Sequence, residues 1–141
     1  GFGAKALGNI PIDRRNGEKA RAQISDALAE LKEGVGLMFF PEGTRSRDGR
    51  LLPFKTGAFR IAIQQQMPIL PVAIIGSREI NPPGTLWFRP GRVRVVAHPP
   101  IETHGMTEKE VNHLMRQAYE WIDTQLAQDV HESAAQRAEH A

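Results

Sequence analysis

Val35-Gly36-Leu37-Met38-Phe39-Phe40-Pro41-Glu42-Gly43-Thr44-Arg45-Ser46-Arg47 is the stretch whose reading governs the fold of this chain. Its first six residues form a continuous apolar run of strand length. The run lacks the alternation of a strand with one wet face, so it reads as a strand covered on both sides. Residues 41–55 then have the composition of a loop. A second buried strand is expected over residues 69–75. Residues 8–12 form a shorter run that holds Pro11, which fits an edge strand or a strand entering a loop. Helical patterns lie between these runs. Residues 16–33 carry Ala20, Ile24, Leu28 and Leu31 on one stripe, with Asn16 as cap and Gly34 as stop. Thr56 is placed to cap a short helix bearing Phe59, Ala62 and Ile63. Residues 86–89 and 92–97 are expected to pair as a hairpin around Pro90-Gly91. Thr107-x-x-Glu110 is a capping box that opens a helix with Val111, Leu114, Met115, Ala118, Ile122 and Leu126 on one face. Alternating strands and helices predict the α/β class, a largely parallel sheet flanked by helices. Ligands of such sheets sit beyond the carboxyl ends of the strands.

The composition narrows the alternatives. A chain of 141 residues implies one domain, and 40% apolar with 24% charged residues is ordinary globular usage. That excludes a wholly disordered, collagenous or coiled-coil protein. The lack of cysteine excludes a disulfide-stapled scaffold. The longest apolar run, residues 67–76, is too short to span a bilayer and contains two prolines. The chain begins at Gly1 rather than methionine, and residues 1–7 have no signal-peptide pattern. It is therefore expected to be a piece of something longer. No Cys/His cluster has metal spacing, and no Walker-type or dinucleotide glycine pattern occurs.

Charge is unevenly spread. The net is +4 over residues 1–60, +3 over 61–97 and −5 over 98–141, and 13 of the 18 cationic residues are arginine. Arginine suits bidentate capture of phosphate or carboxylate. Two strand exits carry it: Ile12-Asp13-Arg14-Arg15 and Pro41-Glu42-Gly43-Thr44-Arg45. If the two strands are neighbours, Arg14 and Arg45 converge on one rim as a phosphate clamp. Gly43 lets backbone approach a ligand, and Thr44 and Ser46 add hydroxyl donors. Arg50, Lys55 and the helix start at Thr56-Gly57 add positive potential. Glu42 would repel phosphate, so its expected task is to pair with an arginine and hold it in place. Ordinary turn residues and solvated surface arginines fit the same stretch. Trp87 and Phe88 are of a kind that dips into a membrane interface, although packing on the core is the commoner fate of such a pair.

The wording of four blocks adds to this. Phe40-Pro41-Glu42-Gly43-Thr44-Arg45-Ser46, Gly8-Asn9-Ile10-Pro11-Ile12-Asp13-Arg14, Leu52-Pro53-Phe54-Lys55-Thr56-Gly57-Ala58 and Pro68-Ile69-Leu70-Pro71-Val72-Ala73-Ile74 resemble, in order and spacing, the blocks of the lysophosphatidic acid (1-acylglycerol-3-phosphate) acyltransferases. The resemblance covers roughly residues 8–101. It implies a glycerolipid-acyltransferase-like α/β fold, incomplete here, with the acyltransferase domain over residues 1–127; the polar, alanine-rich composition of residues 128–141 reads as a disordered tail. It also implies transfer of a fatty acyl group from acyl-CoA or acyl carrier protein to the sn-2 hydroxyl of 1-acylglycerol-3-phosphate. The product is phosphatidic acid, made in phospholipid biosynthesis at the cytoplasmic face of a membrane, the inner membrane if bacterial. No cofactor is implied beyond the acyl donor, and no metal. By the resemblance, Arg14, Glu42, Gly43, Thr44 and Arg45 bind the acceptor, and Pro68 and Pro71 lie on the acyl-donor side; the charge of Lys55 adds it to the acceptor-binding set.

One departure is large. The family's catalytic His-x-x-x-x-Asp has no counterpart: none of His98, His104, His113, His131 and His140 is followed by an aspartate five positions on. The pair is expected upstream of Gly1, and the isolated chain is expected to be inactive. Two other readings remain open. One is an acyltransferase for another acceptor, such as glycerol-3-phosphate, another lysophospholipid or a lyso-ornithine lipid. The other is a non-catalytic module that docks on anionic lipid. A nucleic-acid partner is disfavoured, because no stacking aromatics interleave with the arginines.

Overall fold

The computed structural model describes residues 23, 24, 26, 28 and 36–139. It divides the chain into two units, Gly1–Met38 and Phe39–Ala141. In the first, Gln23, Ile24, Asp26 and Leu28 are helical and Ile24 is buried, in keeping with the stripe read from the sequence. The rest of that expected helix, its Asn16 cap, its Gly34 stop and the strand of residues 8–12 lie outside the described residues.

In the second unit, a signature loop (residues 41–55) leads into helix α1 (Gly57–Gln64), strand β1 (Val72–Ile75), the single turn α2 (Ser77–Ile80), strand β2 (Arg94–Ala97), a 3₁₀ turn (Glu108–Glu110) and the long helix α3 (Val111–Glu139). The amphipathic patterns explain the packing. Phe59 and Ile63 of α1 meet Val111, Leu114 and Ala118 of α3, with Ile101 between them. Phe54, Ile69, Met106 and Met115 close the edges of this core, and Leu114 is wholly buried at its centre. The capping box forms as read: the Thr107 amide donates to the Glu110 carboxylate at 2.6 Å, and the Thr107 hydroxyl accepts from the Lys109 amide. Thr103 adds a polar rivet. Its hydroxyl is fully buried and donates toward the carbonyls of Met67 and Ala62, at 2.8 and 3.3 Å.

Several expectations are corrected. The sheet among the described residues is two-stranded and antiparallel, with Val72 opposite Ala97 and Ile75 opposite Arg94, so a largely parallel sheet is not what these residues form. Residues 86–89 form no strand and the hairpin is absent. The Arg89 amide donates instead to the Ile80 carbonyl, Pro90 has no amide to offer, and β2 finds its partner in β1. β1 is not covered on both faces: Ala73 and Ile75 are buried while Ile74 is exposed, since only one side of a two-stranded ribbon packs on the helices. Residues 36–40 take part in no strand pairing among the described residues, and Met38 and Phe40 lie open to solvent. Thr56 stands at the start of α1 with its backbone already helical, and its side chain makes no capping bond. The backbone of α3 continues to Glu139, past residue 127 where the sequence reading ended the domain. Ala134, Ala135 and Ala138, interleaved with Glu, Gln and Arg, supply enough helix propensity for that.

Candidate functional site

The signature loop is tied at its base by backbone. The Gly43 amide donates to the Phe40 carbonyl at 3.0 Å, closing a tight turn through Pro41 and Glu42. Gly43 has φ +71°, where a side chain would be strained. A Cβ built there would also stand 2.9 Å from Lys55 Nζ, so the lysine side chain lies directly over the glycine. Two further bonds fasten the start of the loop to its end. The Lys55 amide donates to the Pro41 carbonyl at 2.8 Å, and the Leu52 amide donates to Glu42 Oε2 at 2.8 Å. Glu42 is half-buried. The expectation that it pairs with an arginine gives way to a different device. Its carboxylate is spent on a backbone amide ten residues away, and no ion pair among the described residues involves it.

The middle of the loop is held by its own small side chains. The Ser46 hydroxyl donates to Asp48 Oδ1 at 2.9 Å and accepts from the Gly49 amide at 3.0 Å, while Asp48 also accepts from the Arg50 amide at 3.1 Å. The Arg50 amide first, and the Ser46 hydroxyl second, hold the Asp48 carboxyl below its ordinary pKa. Arg50 stands 3.9 Å from Asp48, which offsets part of its charge. From α2, Arg78 donates to the Arg47 carbonyl at 2.8 Å.

The far end is anchored to the core. Tyr119 of α3 donates its hydroxyl to the Leu51 carbonyl at 3.3 Å. The Phe54 ring stacks on Phe59 at 6.1 Å and meets Tyr119 edge-on at 5.0 Å. Sequence reasoning missed these supports. Glu42, Leu52 and Tyr119 are far apart in the chain, and no local pattern marks a carboxylate that caps a backbone amide ten residues on.

What the loop leaves over is cationic. Thr44 and Arg45 are exposed, and neither has a hydrogen-bond or ion-pair partner among the described residues. The arrangement presents a guanidinium, a hydroxyl and the nearby Lys55 ammonium on a turn fixed at both ends, which is a donor set for an anion. Arg14, the other half of the expected clamp, lies outside the described residues. Pro68 is exposed. Pro71 is buried just before β1, where its carbonyl accepts from the His98 amide at 2.9 Å and its missing amide costs no ladder bond.

Among the described residues no group of His, Cys, Asp and Glu is placed to hold a metal. Nor is any helix there long and apolar enough to cross a membrane. His98 meets the Trp121 ring edge-on at 5.1 Å and its Nδ1 lies against the Pro99 carbonyl. No carboxylate orients His98, His104 or His113 among the described residues, so none has the partner a general base needs. An open depression of about 500 Å³ runs along α3, lined by His113, Arg116, Gln117, Glu120, Trp121 and Thr124. It contains none of the residues singled out from the sequence.

Comparison with known proteins bears on this loop directly. A family model described as Acyltransferase matches residues 1–75, which include it. The 1-acyl-sn-glycerol-3-phosphate acyltransferase BAT2 of Brassica napus chloroplasts is 38% identical over 102 residues, 72% of this chain and 30% of its own length. The 1-acyl-sn-glycerol-3-phosphate acyltransferase alpha of Mus musculus is 37% identical over 113 residues, covering 79% and 40%. The crystal structure of the 1-acyl-sn-glycerophosphate acyltransferase PlsC from Thermotoga maritima superposes with a TM-score of 0.65 at 36% identity, over 75% of this chain and 43% of that one. The chain thus spans well under half the length of these relatives.

Proposed function

The chain belongs to the acyltransferase family, and from that premise we propose that it is the acceptor-holding part of a 1-acyl-sn-glycerol-3-phosphate acyltransferase. The enzyme moves a fatty acyl group from an acyl thioester, on coenzyme A or acyl carrier protein, to the free sn-2 hydroxyl of lysophosphatidic acid. The hydroxyl oxygen bonds to the thioester carbonyl carbon, the thiolate leaves, and phosphatidic acid and a free thiol result. No cofactor is needed beyond the acyl donor. The hydroxyl proton goes to a base of the His-x-x-x-x-Asp kind, which this chain's histidines do not supply. The reaction runs at the cytoplasmic face of a membrane, where acceptor and product reside.

The observation that carries this reading is the exposed Arg45, without a partner among the described residues, on a turn that Glu42, Ser46 and Asp48 hold from within. Binding energy is not lost to ordering such a loop when the phosphate arrives. Arg45 grips the acceptor phosphate, Thr44 and Lys55 supply further donors, Gly43 admits the close approach, and Glu42 holds the turn through Leu52 N–H. Arg14 contributes the second guanidinium. Pro68 and Pro71 shape the acyl-donor side.

The test is kinetic and uses the longer protein that carries the base. Arg45→Ala is expected to lower kcat/KM for lysophosphatidic acid about a hundredfold, mostly through KM, the scale of a lost charged contact. Arg45→Lys should recover only part of that, because a lysine cannot form the bidentate pair. An Arg45→Ala enzyme with unchanged kcat/KM would end the reading. A panel of glycerol-3-phosphate, other lysophospholipids and lyso-ornithine lipid in place of lysophosphatidic acid identifies the acceptor.

A further inference from the structure

Loop 82–92 has no place in the site just described, yet it breaks the ordinary rule of apolar burial more openly than any other described segment. Leu86, Trp87 and Phe88 are consecutive, and they are 94%, 82% and 73% exposed. Single exposed apolar residues are commonplace; three large ones in a row are not.

Their exposure does not come from a slack loop. The Thr85 amide and hydroxyl both donate to the Pro82 carbonyl, at 3.2 and 3.1 Å, and the hydroxyl also lies 3.4 Å from the Trp87 carbonyl. The Arg89 amide donates to the Ile80 carbonyl at 2.8 Å, which shuts the base. Beyond it, the Arg92 carbonyl packs so closely on Gly76, at φ +85°, that a Cβ there would collide with it. The stem is fastened at both ends while the tip points its three side chains into solvent.

Charge says what covers that tip. Residues 80–101 contain Arg89, Arg92 and Arg94 and no acidic residue at all. Arg94 is engaged with Asp129 at 2.9 Å. Arg89 and Arg92 are exposed, follow the apolar triplet within four residues and have no acidic partner among the described residues. A protein groove would match the apolar triplet alone. An apolar tip with an aromatic in its middle and a cationic collar matches a surface with hydrocarbon below and negative charge above. We propose that loop 82–92 is an interfacial wedge for an anionic lipid bilayer: Leu86, Trp87 and Phe88 enter the headgroup–acyl boundary while Arg89 and Arg92 stay on the phosphates. Vesicle binding is read without turnover, so the inference stands apart from the acyl-transfer reading.

The experiment uses the whole 141-residue chain with two sets of vesicles, equimolar phosphatidylcholine–phosphatidylglycerol and phosphatidylcholine alone. In the Trp121→Phe chain, Trp87 is the single tryptophan. Its emission should be that of exposed indole in buffer, move to the blue on adding anionic vesicles, and be quenched by lipids brominated near the headgroup. Replacing Leu86, Trp87 and Phe88 together by serine should weaken sedimentation with anionic vesicles about a hundredfold, in proportion to the apolar area withheld. Arg89→Gln with Arg92→Gln should weaken it about tenfold and remove most of its salt dependence. Far-UV circular dichroism checks that the variants fold, and the fluorescence measurement leaves the loop unaltered. Three results would overturn the proposal: Trp87 emission already blue-shifted in buffer, which means another part of the chain covers it; the serine variant binding vesicles as the parent does; or that variant only converting an oligomer to monomer, which makes the tip a contact between copies.

Discussion

Two aromatic clusters of this chain use similar residues to opposite ends. Phe54, Phe59 and Tyr119 lie inward, and with them the end of the signature loop is pinned to α3. Leu86, Trp87 and Phe88 lie outward, with most of their surface open to solvent. Both loops are closed by the same local device, one short backbone bond across the base: Lys55 to Pro41 in one, Arg89 to Ile80 in the other. The difference is where the side chains go once the backbone is fixed. Around Arg45 the side chains of Glu42, Ser46 and Asp48 hold the turn, so the cations beside it are presented in a set geometry. In loop 82–92 the side chains themselves are what is presented. Polar recognition needs geometry and therefore support; apolar insertion needs area and therefore exposure.

The largest effect that could break this contrast is in the core. Phe59→Ala should cost about 3–5 kcal/mol in denaturant titration, since a buried ring is removed and Phe54 loses its stacking partner. Trp87→Ser should change stability by no more than about 0.5 kcal/mol. Equal costs at the two positions would show that the outward cluster is packed after all. Next in size is Glu42→Ala. It leaves the half-buried Leu52 amide without its acceptor and should cost about 1–2 kcal/mol. Amide exchange at Leu52 and Lys55 should quicken more than exchange in α1. Glu42→Gln keeps an acceptor oxygen at that place and should recover roughly half of the loss. Thr103→Val, which keeps the shape and removes the donor to Met67, should cost about 1 kcal/mol by the same reasoning.

How much of this could be read from the sequence depended on the range of the interaction. Helices α1 and α3 were legible, because periodicity and a capping box are local: Phe59, Ala62 and Ile63 face inward on α1, and Val111, Leu114 and Ala118 do so on α3. The signature loop was legible as a motif, but the positive φ of Gly43 and the lysine lying over it were not. The sheet was not. An apolar run such as residues 69–75 says that a strand is buried but not on which side its partner runs, and the antiparallel partner proved to be β2, some twenty residues away. The task of Glu42 was hidden for the same reason, since a carboxylate beside two arginines announces an ion pair while its actual partner is a distant amide. Gln66 gave no signal at all. It adopts φ +50° after α1, and its amide group bonds to Ile63, Gly105 and Met106, making one glutamine the hinge pin between two turns.

The smallest effect lies at the start of α3, the helix that delivers Tyr119 to the loop. The Thr107 hydroxyl first, and the Thr107 amide second, hold the Glu110 carboxyl below its ordinary pKa. A carboxyl whose pKa is lowered by folding binds fewer protons in the native state than in the unfolded one. Its contribution is therefore complete above the unfolded value and disappears as the pH falls through the folded one. Acidification from neutral pH to about 3 should thus weaken the cap, with the carboxyl group's ordinary value marking where the loss begins. Glu110→Gln removes this pH dependence, and Thr107→Ala reduces it while lowering stability at neutral pH by about 1 kcal/mol. Because α3 carries Tyr119 twelve residues on, the cap variants also ask whether a frayed helix start is felt at the signature loop. Tyr119 sits beyond the first turns and is packed against Phe54, so exchange at Leu52 should be unchanged in Thr107→Ala and quickened in Glu42→Ala. If both variants loosen Leu52 equally, the loop is held by the helix as a whole and not by its own carboxylate, and the inward cluster is less local than the outward one.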